Sequence, residues 1–529
     1  MPFARTVITN TARATRRTVL RAGLGVTAVL AVPGCAVTTR PGFTAAVPGN
    51  PFTLGVASGE PAPDGMVLWT RLATDPTADD GLGGMGERRT EVEWEIADDE
   101  GFRQVVRRGA ETTGPDLGHS VHVELAGLTP GREFFYRFRV GAEISAVGRT
   151  RTAPPPTAME SLTMCFTSCS HFEQGFFTAY RRLAEDEPEL VLHLGDYLYE
   201  NPANAASDRN VRSHDGPEIE TLANYRQRHA QYKTDADLQA AHAVAPWLVV
   251  WDDHEIDNNW ADEVPENAQP DFPARREAAL RAYWENMPLR ASARPSGQDL
   301  QLYRRVSWGG IATFHMLDTR QYRGDQPCGD EFNSDCPQRS DPARSLPGSE
   351  QERWLADGFG QSRARWDVLG QQVFFSQVDF TPGAGRGFNP DAWDGYPGSR
   401  DRVVDAWTDA KVRNAVVLTG DVHAHWAAEV RHRFDDPASP VVGTELVSSS
   451  ISSGGDGSET RRDTATTLAE NPHLRFYNNR RGYVRTRFTP GSMTADFRVL
   501  SHVQRPGAPV QTRASFVVED RSPGLNAVS

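Results

Sequence analysis

Four short polar clusters contain most of the side chains in this sequence that are suited to binding or activating a ligand. Each follows an apolar run directly: residues 168–171 follow 162–166, 195–200 follow 190–194, 252–255 follow 247–251, and 420–425 follow 415–418. Together they supply thiol, phenol, carboxyl and imidazole groups, which are the donors that proteins use for hard and borderline cations. One such cluster would be ordinary, but four of them after apolar runs of similar length indicate a shared metal site.

The elements that must position these clusters form an α/β core. Apolar runs of buried-strand type cover residues 162–166, 190–194, 247–251, 311–317 and 415–418. Apolar positions at helical spacing predict helices over 350–359 and 400–410. Alternating strands and helices are typical of a layered α/β fold, in which functional side chains follow the carboxyl ends of the strands. We therefore expect the four clusters to lie together although they are distant in sequence.

The region before this core has a different pattern. Residues 48–153 are predicted to form a small all-β sandwich of fibronectin or immunoglobulin type, with strand-like runs at 52–58, 66–70, 91–96, 121–125 and 134–140. Three consecutive prolines, residues 154–156, predict a stiff linker. The α/β catalytic domain is then expected over residues 157–517, and the polar residues 518–529 are expected to form a flexible tail.

Residues 1–35 are predicted to be an export signal outside the fold. Five arginines and no acidic residue precede or border an apolar run at 22–32, which is too short to span a bilayer. The Arg16-Arg17 pair resembles a twin-arginine signal, and a general secretion signal is the alternative. Residues 32–35 resemble a lipoprotein processing site except at Pro33, so membrane attachment through a lipidated Cys35 stays open. We expect a periplasmic, extracellular or cell-surface protein that is recognised by the twin-arginine export machinery.

Composition narrows the function classes. The chain has 529 residues, which predicts two or more domains. It has 56 basic and 70 acidic residues and a net charge of −14, and it lacks a dense basic block. This balance argues against a nucleic-acid partner bound through its phosphate backbone. Cys328 and Cys336 lie in a polar loop, and in an oxidising compartment we expect a disulfide between them.

The residues of the clusters and their order along the chain resemble those of the calcineurin-like metallophosphoesterases, and within them those of the PhoD-like alkaline phosphatases. The matching motifs are Cys169 in the opening cluster, Gly-Asp-Tyr-x-Tyr-Glu at 195–200, Trp-Asp-Asp-His-Glu at 251–255 and Gly-Asp-x-His at 420–423. The resemblance extends over nearly all of the chain after the export segment. It implies a four-layer sandwich with two central sheets flanked by helices, preceded by the small all-β domain.

The same resemblance implies a set of metal ligands. It assigns a ferric iron (Fe³⁺) to four residues: Cys169, Asp196, Tyr199 and His423. It also implies one or two calcium ions (Ca²⁺), which Asp253 and Asp421 help to bind and to which Asp196 bridges.

The bridging role has a physical reason, because one carboxylate has two oxygens and so fixes two cations near each other. His254, next to a ligand, is the candidate catalytic residue that stabilises developing charge or protonates the leaving oxygen. The sequence spacing does not decide whether Asn258 or Asn259 completes the calcium site.

Several of these residues have structural alternatives. Cys169 is also consistent with an ordinary buried thiol, Tyr197 is the alternative phenolate to Tyr199, and aspartates after glycine also cap turns. The other open cases are His171, whose role is undecided; Arg320 and Arg323, which either contact phosphate or lie on the solvated surface; His193 and His425, expected in the core or behind the ligands; and residues 448–453, expected as a loop near the site.

The resemblance predicts an exported phosphoric ester hydrolase. It would cleave phosphomonoesters and phosphodiesters by in-line attack of a metal-bound hydroxide, with phosphate ester substrates as its partners. The alternative is a phosphodiesterase of phospholipase D-like activity that acts on lipid or teichoic acid substrates. A non-catalytic surface-binding protein is disfavoured because Asp196, Asp253 and His423 are all retained.

Overall fold

Two large β-sheets and one small sheet make up the framework of this protein, whose structure is a computed structural model. It describes residues 47, 49–204, 207, 210–330, 332, 334 and 336–528. The predicted export segment, including Cys35, lies outside the described residues. None of the helices in these ranges combines the length and apolar character needed to cross a membrane.

The strands of the first half of the described chain are β1 (Val56–Ala62), β2 (Gly65–Arg71), β3 (Thr90–Ala97), β4 (Val105–Thr113), β5 (Ser120–Glu124), β6 (Glu133–Val140), β7 (Glu143–Ile144), β8 (Gly148–Arg151), β9 (Leu162–Thr167), β10 (Leu190–Leu194) and β11 (Pro246–Val250). Those of the second half are β12 (Arg304–Trp308), β13 (Ala312–Met316), β14 (Trp366–Gln371), β15 (Ala415–Thr419), β16 (His425–Arg431), β17 (Val441–Val447), β18 (Gly457–Ser458), β19 (Leu474–Arg480), β20 (Gly482–Phe488), β21 (Ser492–Leu500), β22 (Val510–Glu519) and β23 (Ser522–Ala527).

The helices are α1 (Thr178–Glu185), α2 (Leu222–Lys233), α3 (Ala236–Val244), α4 (Phe272–Asn286), α5 (Ser349–Gln361), α6 (Pro397–Asp409) and α7 (Thr464–Glu470). The predicted helices 350–359 and 400–410 correspond to α5 and α6. All five predicted buried strands of the α/β core are present, as β9, β10, β11, β13 and β15, with ends that differ by at most one residue.

The first large sheet has ten strands in the order β23-β22-β21-β20-β9-β10-β11-β1-β2-β5, and the second has eight in the order β12-β13-β14-β15-β17-β16-β19-β18. One apolar cluster contains residues of both sheets, including Leu192 of β10 and Val368 of β14, so the main core lies between them. A second cluster joins the β14 and β15 side of the second sheet to α5 and α6 through residues such as Phe359 and Trp407.

The N-terminal region does not form a sandwich of its own. Its strands β3, β4, β6, β7 and β8 form a separate five-stranded sheet, but β1, β2 and β5 continue the ten-stranded sheet. The link is a parallel pairing of β1 with β11, in which Gly59 lies opposite Trp247. Both regions therefore belong to one compact unit. The predicted sandwich shares one of its two sheets with the α/β core because the edge of β11 is completed by β1.

The prediction of a flexible tail at 518–529 is wrong. The second-last and last strands, β22 and β23, pair antiparallel at the edge of the first sheet, with Val517 opposite Asn526. Leu525 is buried although its neighbours are polar. Backbone hydrogen bonding to an existing edge needs few apolar side chains, and this explains why a polar sequence forms a strand here.

Candidate metal centre

Three of the four predicted clusters follow adjacent parallel strands. Strand β10 pairs in parallel with β9 on one side and with β11 on the other, so their carboxyl ends lie side by side. The fourth cluster follows β15 of the second sheet, which pairs in parallel with β14 and β17. An isolated bridge between Ser168 and Ser450 joins the loop after β9 to the loop after β17. The ends of both sheets thus meet at one edge.

Glycines at the start of two clusters allow this close approach. Gly195 has a φ of +101°, and a Cβ there would lie 2.4 Å from Cβ of Asp252. A Cβ on Gly420 would lie 2.7 Å from the carbonyl oxygen of Leu194 and 2.9 Å from Cβ of Ser168. Any larger residue would push the loops apart, and this explains why each Gly-Asp motif begins with glycine.

Four of the predicted ligands have left-handed backbone conformations. Their φ values are 62° for Cys169, 54° for Asp196, 57° for Asp421 and 54° for His423. Non-glycine residues rarely adopt this conformation, which costs of order 1–3 kcal/mol each and persists where the surrounding structure enforces it. The strain concentrates at the edge where the four clusters meet, as is typical of functional sites.

The first group of donors surrounds one point at this edge. One donor atom each from Cys169, Asp196 and His423 lie within 4.8 Å of one another. The hydroxyl of Tyr199 donates to Oδ2 of Asp196 over 3.0 Å and lies 3.0 Å from Nε2 of His423. A thiol, a carboxylate, a phenol and an imidazole therefore converge, and this donor set suits a trivalent or divalent transition metal ion.

A second group shares one member with the first. Donor atoms of Asp196, Asp253 and His254 also lie within 4.8 Å of one another. The Oδ1 atoms of Asp196 and of Asp253 are buried and have no hydrogen-bond partner in the described residues. A buried carboxylate oxygen without a donor is costly unless a cation binds it. The two groups thus fit a pair of cations that are joined by the carboxylate of Asp196.

Burial is the main cause of the pKa shifts of the residues in the first group. Burial, together with the charges of Asp196 and Asp421, raises the pKa of the Cys169 thiol well above its usual value. Burial and the charge of Asp196 likewise raise the pKa of the Tyr199 phenol. Desolvation, aided by Arg481, lowers the pKa of His423 to about 3, which leaves its imidazole neutral and free to bind a cation.

Carboxylates outside the two groups orient their members. Nδ1 of His254 lies 2.7 Å from Oε2 of Glu200. The Glu255 carboxylate accepts from the backbone N–H of Asp196 at 3.0 Å and of Asp252 at 2.9 Å, and so it joins the loops after β10 and β11. Glu200 and Glu255 lie inside the second and third motifs, and the sequence alone does not assign a role to either.

Arg320 is fully buried, contrary to the solvent-exposed alternative. Its Nε donates to Oδ1 of Asp252 over 2.6 Å, and its two terminal nitrogens donate to the Asp391 carboxylate over 2.8 and 2.9 Å. Burial opposes ionisation of Asp253, but the charges of Arg320 and His254 outweigh it and lower its pKa. Arg320 therefore supports the site from behind. Arg323 is also buried and donates to the backbone oxygen of Asp391.

The structure places the remaining candidates in distinct surroundings. The Tyr197 hydroxyl lies 2.9 Å from Nε2 of His242, away from both donor groups. His171 packs against Tyr199 with 4.4 Å between ring centroids. Ser453, which was expected only near the site, donates to the Tyr199 hydroxyl over 2.7 Å and thus lies directly behind it. Its position follows from the pairing of the loop after β17 with the loop after β9, which sequence spacing alone does not show.

The other candidates lie as follows. His193 and His425 are buried in β10 and β16, as expected. The backbone N–H of Asn259 donates to Oδ2 of Asp253 over 2.8 Å. The Asn258 side chain donates to Oε1 of Glu266, so neither amide oxygen is committed to another residue by these contacts.

A cavity of about 340 Å³ opens at this edge. Its polar lining includes Asp196, Asp253, His254, Asn258, Asn259, Asp421 and His423, and its apolar lining includes Phe374, Val378, Phe380, Ala392 and Val422. All of the predicted site residues except Cys169 and Tyr199 border it. The volume is at the lower end of the range typical of small-molecule sites.

Comparisons with known proteins agree with this geometry. The PhoD-like phosphatase family matches residues 164–497, and the N-terminal domain of PhoD-like phosphatases matches residues 36–154. Alkaline phosphatase D of Bacillus subtilis (strain 168) is 48% identical over 511 residues, which are 96% of this chain and 86% of the relative.

Solved structures show the same relationship. A structure of PhoD superposes with a TM-score of 0.89 at 48% identity, over 92% of this chain and 94% of that chain. A purple acid phosphatase from yellow lupin (Lupinus luteus) seeds, PPD1, has a TM-score of 0.55 at 14% identity over 88% of this chain and 74% of that chain, which shows a common fold. The arrangement of the clusters and the matches over both parts of the chain lead to one conclusion: this protein belongs to the PhoD-like phosphatase family.

Proposed function

We propose that this protein is a metal-dependent phosphoesterase that hydrolyses phosphomonoesters and phosphodiesters. The observation that supports this most strongly is the position of Asp196, whose carboxylate belongs to both donor groups and has a buried, unpartnered Oδ1. A shared carboxylate between two cations is suited to phosphoryl transfer, because such a pair neutralises the phosphate oxygens and lowers the pKa of a nearby water.

The proposed ligands divide between the two groups. Cys169, Asp196, Tyr199 and His423 would hold a ferric iron, since thiolate and phenolate are strong donors to that ion. Asp253 and Asp421, with Asp196, would hold one or two calcium ions, which prefer carboxylate oxygens. Asp421 borders the same cavity as the other two carboxylates, and burial followed by the charges of Asp252 and Asp253 raises its pKa, as expected of a carboxyl group that awaits a cation.

His254 is proposed as the catalytic residue that stabilises charge on the phosphate or protonates the leaving oxygen. Nδ1 of its ring is held by Glu200 at 2.7 Å, which fixes the ring orientation and leaves Nε2 for the substrate. The ring also packs against Tyr199, with 4.1 Å between centroids, and it borders the cavity. Its position between both donor groups and the cavity supports this role.

The proposal also covers the layers of the fold and the location of the protein. Two sheets with a common core, and α5 and α6 packed on the second, support a four-layer phosphoesterase sandwich. The Arg16-Arg17 pair supports export by the twin-arginine route, so that the protein acts in the periplasm, outside the cell or on its surface. The predicted disulfide between Cys328 and Cys336 is present, which agrees with an oxidising compartment.

The function is tested with metal-replete protein on 4-nitrophenyl phosphate and bis(4-nitrophenyl) phosphate. We expect hydrolysis of both esters, and the ratio of their kcat/KM values separates a general phosphoesterase from an enzyme specialised for diesters. If the protein hydrolyses neither ester, the result would contradict the proposal.

The iron assignment has an independent spectroscopic test. A ferric ion bound by the Tyr199 phenolate gives a visible charge-transfer band, which Tyr199→Phe should abolish or shift. Tyr197→Phe is the matched control and should leave the band in place, because that hydroxyl faces His242. A colourless but active protein would contradict the iron assignment.

A further inference from the structure

Two phenylalanines, of which Phe380 borders the cavity, are exposed to solvent and contact each other. Phe332 is 52% exposed and Phe380 is 40% exposed, and their ring centroids are 5.9 Å apart in an edge-to-face arrangement. Among the described residues they are the only phenylalanines with this degree of exposure. Phe380 borders the same cavity as Asp196 and His254. An exposed aromatic pair beside a reactive polar site indicates a contact surface for a ligand.

The two rings are held in place rather than left loose. The backbone N–H of Phe380 donates to the carbonyl oxygen of Gly387 over 3.0 Å. A Cβ on Gly387 would lie 2.2 Å from Cζ of Phe332, so the ring rests directly on that backbone. Phe332 lies within the loop that the Cys328–Cys336 disulfide closes. The position of the pair is therefore set before any substrate binds.

Both ends of this loop are attached to the edge that carries the site. Before the disulfide, the Gln326 side chain donates to the carbonyl oxygen of Asn259 over 2.7 Å and to Oδ1 of Asp391 over 2.8 Å. After it, Arg339 donates to the carbonyl oxygen of Asp394 over 2.8 Å. Asn259 and Asp394, whose carbonyl oxygens accept these two hydrogen bonds, both border the cavity.

We infer that Phe380, extended by Phe332, forms an apolar subsite that binds the alcohol portion of the ester substrate. This rests on the proposed function, which places the phosphate at the carboxylate side of the cavity. The side chains of Phe374, Val378 and Val422 line the same cavity as Phe380 and the carboxylates. A substrate whose phosphate meets the cations therefore directs its alcohol toward the aromatic pair. The subsite favours large apolar alcohols over small ones.

Benzyl phosphate and ethyl phosphate test this inference, because their leaving alcohols are similar in acidity and differ in apolar size. For Phe380→Ala we expect kcat/KM on benzyl phosphate to fall about 10-fold, mainly through KM, and kcat/KM on ethyl phosphate to change less than about 2-fold. Phe332→Ala should show the same selective loss at a smaller size. Phe380→Tyr keeps the ring and should retain most of the preference.

Met159→Ala is the matched control, because Met159 is also an exposed apolar residue and does not border the cavity. It should leave both esters unaffected. An equal effect of Phe380→Ala on both esters, or none on either, would overturn the subsite while the proposed function stands. Absence of hydrolysis of both esters by the wild-type, metal-replete protein would overturn the proposed function and this inference with it.

Discussion

Ionic groups are arranged in opposite ways in the five-stranded N-terminal sheet and at the edge that holds the candidate site. On the outer face of the N-terminal sheet, Glu93 of β3 pairs with Arg139 of β6 over 2.5 Å, and Glu95 pairs with Arg137 over 2.5 Å. At the site, Asp196, Asp253 and Asp421 border one cavity, and the buried Oδ1 atoms of Asp196 and Asp253 have no hydrogen-bond partner among the described residues.

The two regions differ in how their charges are neutralised. The exposed pairs neutralise each other, whereas the buried carboxylates need a bound cation. Exposed cross-strand pairs balance each other and contribute little individually. Buried like charges in strained backbone conformations destabilise the fold unless a cation compensates them. These unfavourable contributions to the stability of the fold lie together at one edge of the protein, and this indicates a metal site. The ion pairs of the N-terminal sheet are ordinary surface interactions in the same chain.

The largest effect is expected for Asp196→Asn, which removes the carboxylate that the two donor groups share. Because the carboxylate belongs to both donor groups, its loss weakens two metal positions at once, and we expect kcat/KM on 4-nitrophenyl phosphate to fall about 1,000-fold. The amide keeps the shape of the side chain, so far-ultraviolet circular dichroism should be unchanged. Full activity of a correctly folded variant would show that the site has been placed wrongly.

The next effect concerns the arginine that supports the site from behind. Arg320→Met leaves Asp252 buried without its cation and Asp391 with Arg323 alone, and we expect the free energy of unfolding to fall by about 3 to 5 kcal/mol in denaturant titration. The double variant with Asp252→Asn should recover part of that loss, since it removes the carboxylate that has lost its only ion-pair partner in the described part of the chain. A change below about 1 kcal/mol for Arg320→Met would contradict its role.

The smallest effect is expected on the surface of the N-terminal sheet. Glu93→Gln removes one half of an ion pair whose side chains are 48% and 53% exposed. The free energy of unfolding should fall by less than about 1 kcal/mol, and less still at high salt. Activity should not change. A loss as large as that of Arg320→Met would erase the distinction between the two regions.

Much of the site could be predicted from the sequence because its information is local. Each cluster follows a short apolar run, and the run fixes the strand end from which the donor residues project. This is why Cys169, Asp196, Asp253 and His423 are found where the strand ends meet. The choice of Tyr199 over Tyr197 agrees with the geometry, although it depended on the family motif and not on spacing alone.

The features that the sequence did not predict depend on long-range contacts. The pairing of β1 with β11 joins residues that are nearly 200 positions apart, and no local pattern encodes it. The burial of Arg320 is a second such feature, because it depends on the distant residues Asp252 and Asp391. The polar strand β23 forms because β22 offers an edge. Ser453 contacts Tyr199 because the loop after β17 pairs with the loop after β9.

The most direct test of the central claim is elemental analysis of the purified, active protein together with Asp196→Asn. The account predicts iron and calcium bound in near-stoichiometric amounts in the wild-type protein, with both metals reduced in the variant and activity proportional to metal content. A fully active wild-type protein without stoichiometric metal, or a variant that keeps both metals at wild-type levels, would contradict it.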